Sequence, residues 1–537
     1  MGGTFMKAGK LIAAALAAGI IGTVFAGCGT QSGKGDAGSS QKAKDTITFS
    51  IGSTSTDGNF DPTKRWGKCY DFFHTGLMKV DQDLEIKPDL AESYEISDDN
   101  LKYTFHLRKG IKFSDGSDFT AKDVVFTYNK AKERGTSVDL TMMEKIEAPD
   151  AQTVVITLNK PFSTFLSNTA YLGIVCAAKY NDNYAMNPVG TGRYKMVQLN
   201  QDQQMILEAN PYYYGKQPSF KKVTILSKSD DVVLASLESG ELDMASVPAN
   251  DAGKEIPGYH IVRCDTNVSK FINLPTIPEK TLPNGKKVGN NVTSDIAIRQ
   301  ALNIGINREE IADHVLNGYG RPSFYFVEAG PWANHAPEFK DNQVDKAREI
   351  LEKAGWVDTD GDGIREKNGV KAEFTLNGSS NETERYNVAV ALSQQAKKLG
   401  IKINAVSTSW NECKAQAATT PTVYASGNYD AMDVYRFTNT KLAGISYYNP
   451  SYYSNETVDG YTEGALSSSP SEANDWWKKA QYDGTTGINI DLPFLPVIHA
   501  EDVYYVRDGI TLGDQRIHDH GMGGLSVIYN IEDWKYE

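Results

Sequence analysis

The chain is 537 residues long and carries a formal charge of −13 at neutral pH. A single hydrophobic core stops growing at roughly 250–300 residues, so two or three domains are expected. Nucleic acid and anionic membrane surfaces are held by clustered Lys and Arg, and a chain this acidic excludes both as its main partner.

At the N-terminus Lys7 and Lys10 precede an apolar run from Leu11 to Phe25, and the small residues Ala26 and Gly27 lead to Cys28. That is the order of an export signal over residues 1–27, too short for a transmembrane span. Ala26-Gly27-Cys28 also resembles a bacterial lipobox, which implies Cys28 as a lipid-modified first residue, although Phe25 stands where leucine is usual. The alternative is an ordinary leader with a chance cysteine. Residues 28–45 are rich in Gly, Ser, Gln and Lys and read as a flexible tether. The other cysteines, Cys69, Cys176, Cys264 and Cys413, form no C-x-x-C pair. A sequence-local zinc or thioredoxin motif is thereby excluded, and buried free thiols are expected.

Thr46 to Ile51 reads as the first strand. Tyr103, Phe105 and Leu107 alternate with polar residues, the period of a half-buried strand. Ser114-Asp115-Gly116 makes a turn, Thr120 with Asp123 forms a capping box, and a helix is predicted from Ala121 to its stop at Gly135. Val154, Ile156 and Leu158 mark another strand, and two glycines in Asn187-Pro188-Val189-Gly190-Thr191-Gly192-Arg193-Tyr194 allow a tight turn. Asp230 is placed as the cap of a helix that ends at Gly240 before a strand at Glu241 to Met244. The Pro-, Lys-, Gly- and Asn-rich stretch 276–291 reads as a passage between lobes. Beyond it come helices over 295–306, 307–318 and 346–355, a strand at Phe374 and Leu376, a helix over 382–399, and strands over 401–406 and 503–506.

Particular residues add a family likeness. Pro88-Asp89-Leu90-Ala91-Glu92-Ser93-Tyr94, Phe113-Ser114-Asp115-Gly116, Phe119 to Val125, Arg299 to Asn303, Asn307 to Ile311 and Ala354-Gly355-Trp356 closely resemble, in order, family 5 extracellular solute-binding proteins. These are the oligopeptide, dipeptide and nickel receptors of bacterial ABC importers. The resemblance implies an α/β, two-lobed, type II periplasmic-binding-protein-like fold. Its first lobe is discontinuous and carries an extra domain, and the ligand cleft lies between the lobes. The expected layout is lobe 1 over 46–290 with the extra domain at about 63–185, lobe 2 over 291–499, and a return to lobe 1 over 500–537.

Four constellations are candidate sites. Asp358-Thr359-Asp360-Gly361-Asp362-Gly363 starts like a calcium loop, but Gly369 stands where the bidentate glutamate belongs, so a solvated turn is expected. His518 and His520 would share one side of an extended segment and could hold a soft divalent metal; solvated loop histidines are the alternative. Peptide receptors of the family have a tryptophan and then an aspartate for the ligand's ammonium near Tyr429-Asp430. This chain lacks that order and offers Asp433 or Arg436, with Tyr435 between them. A buried carboxylate suits an ammonium, whereas an arginine fork suits a carboxylate or an anionic chelate. Trp410 and Tyr447 are candidate lining aromatics, with core packing as the alternative reading.

No G-x-S-x-G, H-E-x-x-H or Walker A run is present, so a secreted hydrolase is unsupported and no cofactor is expected. The reading is a monomeric lipoprotein, anchored through Cys28, that captures small peptides and delivers them to an ABC permease and its ATPase subunits. A nickel or other metal chelate is the alternative ligand.

Overall fold

The computed structural model describes residues 45–537 apart from 53–54, 65–69, 136–137, 428–429, 446 and 519–522. The leader, the tether, Cys28, Cys69, Tyr429 and His520 lie outside the described residues.

Two large sheets carry the two lobes. The first has seven strands, in the spatial order Tyr259–Cys264, Asp502–Arg507, Met244–Val247, Thr46–Ser50, Lys222–Leu226, Gln204–Ala209 and Tyr194–Asn200. Thr46–Ser50 pairs in parallel with both of its neighbours, and its Phe49 is fully buried 5.5 Å from the ring of Trp534. Asp502–Arg507 inserts between two strands met some 250 residues earlier, so the first lobe is discontinuous. The second sheet has six strands, ordered Gly320–Pro322, Phe494–Ala500, Ser269–Asn273, Thr422–Ser426, Glu373–Ser379 and Lys402–Thr408.

The extra domain rests on a four-stranded antiparallel sheet of Ala91–Ile96, Lys102–Leu107, Thr153–Leu158 and Met143–Glu147. Tyr103, Phe105 and Leu107 are buried, as their alternation predicts. The helix Ala121–Arg134 has the Thr120 and Asp123 capping box and ends at Gly135, which adopts φ 65° in the left-handed region that favours glycine. Its Val124 and Tyr128 enter the core.

Three expectations need correction. Ser229, not Asp230, is the cap residue of the helix Asp230–Glu238. The passage between lobes falls at residues 265–268, because Ser269–Asn273 already pairs inside the second sheet. That strand is buried on both faces and includes Ser269, Lys270 and Asn273, so no period-2 pattern announces it. Segment 276–291, expected at the crossing, is a hairpin of Lys280–Thr281 with Lys287–Val288 on the second lobe, tied to it by the Gly289 N–H donating to the Ala418 carbonyl. The strand Phe494–Ala500 and the strand Asp502–Arg507 put the return crossing at Glu501.

Cys176, Cys264 and Cys413 are free and buried. Among the described residues no helix is long and apolar enough to cross a membrane.

Candidate functional site

Where the chain crosses between lobes, the strand ends of both sheets face one another across a cavity of about 300 Å³. Gly52, Ser246 and Pro248 line it from the first lobe, and Lys270, Glu384 and Ala425 from the second. Its charges are mostly matched internally. Lys270 pairs with Glu384 at 2.5 Å, Glu501 with Arg263 at 2.5 Å, and Asp502 with His518 at 2.7 Å. Asp230 is the exposed exception: burial, then Asp251 and Asp231, push its pKa up.

Beside this cavity lies a pocket of about 20 Å³ lined by three carboxylates, Glu328, Asp430 and Asp433, with Asn267, Ser426 and Trp332. Sequence brings two of them together through a tight local fold: the strand Thr422–Ser426 ends, and the helix Met432–Thr438 starts within six residues. Their states differ. Burial acts to raise the Glu328 pKa, but hydrogen bonds from Ser323 and the Tyr325 N–H, and the charges of His499 and Arg321, hold it below the usual range. The Ser323 hydroxyl donates to it at 2.7 Å and the Phe324 N–H at 2.8 Å. Asp433 accepts from the Ser426 hydroxyl and lies 3.8 Å from Arg436. Asp430 accepts the Met432 N–H at 2.9 Å through Oδ1. Burial pushes its pKa up to about 6, against the pull of Arg436. It is therefore the carboxylate with the least compensation of the three, and a cation of one water's size fits the space it faces.

Of the residues singled out in the sequence, Asp433 lines this pocket. Arg436 and Tyr435 share its helix. Arg436 directs its charge onto Asp433 and Asp430 and stacks over Tyr448 at 5.9 Å, while Tyr435 packs against the cores of the extra domain and the second lobe. Trp410 and Tyr447 stand at two ends of an aromatic chain through Tyr424 and Phe437, with ring centroids 5.1, 6.1 and 6.4 Å apart in turn. Trp410 is covered by the Arg385 guanidinium at 4.4 Å, and Tyr447 is 42% exposed. Neither lines the pocket or the larger cavity. Asp430 and Glu328 carry no local sequence signal as ligands. Asp430 lies beside Asp433 in sequence, but the pocket it faces is completed by Trp332 and Phe326, a hundred residues away.

His518 is buried and serves the crossing. Its N–H donates to the Asp265 carbonyl at 2.9 Å, its own carbonyl accepts from Asn267 at 2.8 Å, and Nδ1 bonds Asp502. Its backbone thus ties the C-terminal segment to the crossing, and its burial corrects the alternative reading of a solvated loop histidine. Among the described residues, His, Cys and acidic groups converge in threes within 4.8 Å at Asp358, Asp360 and Glu366 alone. There Glu366, not residue 369, closes the turn.

Comparison with known proteins identifies the class. The family model for bacterial extracellular solute-binding proteins, family 5 Middle, matches residues 85–459. The chain is 31% identical to protein XP55 of Streptomyces lividans over 450 residues, 80% of each chain. It is 30% identical to the oligopeptide-binding protein AppA of Bacillus subtilis (strain 168) over 407 residues, 71% of this chain and 72% of that one. The structure of AppA in complex with a nonapeptide is similar at TM-score 0.67 and 23% identity, over 92% of this chain and 100% of that one. NikZ from Campylobacter jejuni in complex with Ni(L-His) is similar at TM-score 0.73 and 21% identity, over 92% and 99%. The chain belongs to the family 5 bacterial extracellular solute-binding proteins. It has their two-lobed type II fold, and that family binds solutes and is not one of enzymes.

Proposed function

We propose that this protein captures small peptides in the cleft between its lobes and hands them to an ABC permease driven by its ATPase subunits. The observation that carries the reading is Asp430, a desolvated carboxylate with an incomplete set of partners facing a pocket the size of an ammonium group. A peptide's N-terminal ammonium supplies the missing charge-assisted contact. Glu328 and Asp433 add negative potential, and Asn267 and Ser426 offer further polar atoms. Because the ligand touches both lobes only when they are closed, it favours the closed form by differential contact, and the permease selects that form. AppA, named an oligopeptide-binding protein, supports the peptide class.

The metal-chelate reading would use Arg436, whose charge is already directed onto Asp433 and Asp430. For that reason the peptide leads. The protein acts as a monomer held at the outer face of the membrane by lipid on Cys28, and loss of the Cys28→Ala protein from the membrane fraction tests the anchor. Native mass spectrometry of freshly purified protein tests the ligand. Retained masses that fragment as short peptides are expected; a retained nickel complex, with no peptide bound at micromolar concentrations, would overturn the reading.

A further inference from the structure

A second chamber, of about 370 Å³, adjoins the small acidic pocket, and Trp332, Asp430 and Ala431 belong to the walls of both. One side is built by the extra domain, through Leu84, Ile86 and Leu166. The other is built by the second lobe, through Trp332 and Trp477. The two sides touch directly, since the Ser163 N–H donates to the Leu466 carbonyl at 3.0 Å. The lining is mixed: Leu84, Ile86, Leu166, Trp332 and Trp477 give it apolar surface, the buried Ser163 and Thr164 add polar groups, and Ser471 is exposed.

The 20 Å³ pocket holds about one water-sized group, so an ammonium fits but no side chain does. In a peptide the first side chain leaves the carbon that bears the ammonium. With the ammonium on Asp430, the chamber that shares Asp430 as a wall is within reach of that side chain.

We propose that the chamber between the extra domain and the second lobe receives the peptide's first side chain and selects large apolar or aromatic residues there. The extra domain is then a reader of the ligand as well as a scaffold. The inference rests on the peptide reading above and adds the class of N-terminal residue.

The test compares the tripeptides Phe-Ala-Ala and Gly-Ala-Ala by calorimetry on the full-length protein. Burial of the phenyl ring predicts roughly 10- to 100-fold tighter binding of the first. Ser471 is exposed at the rim, so Ser471→Trp fills the chamber without entering the core. This variant should reduce the preference to about threefold or less while leaving Gly-Ala-Ala affinity unchanged, because only the apolar contact is lost. Asn474→Trp, from the neighbouring turn, provides a second filling variant, and melting curves verify that each is folded. Equal affinities for the two peptides in the unmodified protein would overturn this proposal and leave the peptide reading intact. A preference that survives both filling variants would also overturn it, since the ring then sits elsewhere. Failure of both peptides to bind removes the peptide reading and this inference together.

Discussion

The guanidinium of Arg436 lies 3.8 Å from the carboxylate of Asp433, one turn back on the same helix. Burial opposes its charge, but Asp430 and Asp433 together hold its pKa above the usual value. On the peptide reading proposed above, an arginine so placed would act on the ligand through these two acids. Arg436→Ala should therefore destabilise the empty protein by about 1–3 kcal/mol, the cost of leaving partly buried charges without a partner. Urea unfolding with an unchanged m-value measures it. An unaltered midpoint combined with lost affinity for an anionic nickel chelate would show instead that the arginine faces the ligand.

The raised pKa of Asp430 gives a pH dependence with a definite sign. Between the ordinary carboxylate value and about 6, the folded protein holds a proton that the unfolded chain has released. Its contribution to stability therefore falls as pH rises through this window. Ligand binding has the opposite trend, because an ammonium pairs with the ionised form. Peptide affinity should rise from about pH 5 to about pH 7.5, and binding at the lower pH should release close to one proton. Calorimetry in buffers of different ionisation enthalpy detects that proton, and Asp430→Asn should remove both effects. Affinity that is flat with pH in the unmodified protein would count against Asp430 as the ammonium's partner.

How much of this was readable beforehand follows from the range of the forces involved. The strand Lys102–Leu107 and the capped helix Ala121–Arg134 were legible because alternation and capping are local. The strand Ser269–Asn273 was not, since both of its faces are buried and its Lys270 is neutralised by Glu384, more than a hundred residues on. The candidate site divides the same way. Asp433 and Arg436 stood out as a pair three residues apart. Asp430 looks like any other acid until Trp332 and Phe326 close the pocket it faces. The role of His518 depends on Asp502 and on a backbone pairing with Thr266 across the crossing.

The sequence pattern places Gly190 and Gly192 at a tight turn, and in the structure they meet a different need. Neither has a positive φ. A Cβ at Gly190 would lie 2.0 Å from the Phe73 carbonyl oxygen, and one at Gly192 would lie 2.5 Å from that of Phe72. Two backbones pass at contact distance, with the Gly192 N–H donating to Phe73 at 2.8 Å. Gly192→Ala should cost about 1–3 kcal/mol or more through forced separation of these segments. Gly110→Ala is the informative control, because its site is open and only its φ of 73° resists a side chain. It should cost about 1–2 kcal/mol, the smaller loss of the two, from left-handed backbone strain alone. Thermal melts of the pair check the ranking, and equal losses would refute close approach as the cause.

The acidic turn at Asp358 illustrates how an internal cation competes with an external one. Asp358 accepts the Gly361 N–H at 2.7 Å and the Gly363 N–H at 2.9 Å, so both of its oxygens are engaged. Glu366 accepts the Thr359 N–H at 2.8 Å. The Lys371 ammonium lies 3.0 Å from Asp360 and also pairs with Asp362, and hydrogen bonds from these two acids raise its pKa. Calcium would have to displace this lysine and take carboxylates that already hold the turn together. Titration of the unmodified protein should therefore show no saturable calcium binding at this loop in the micromolar range. Lys371→Met removes the resident cation and leaves the aspartates to repel one another, and calcium affinity should then rise by roughly tenfold or more. A submicromolar event in the unmodified protein, abolished by Asp360→Ala, would mean that the lysine does not guard the turn and that Glu366 completes a true calcium loop.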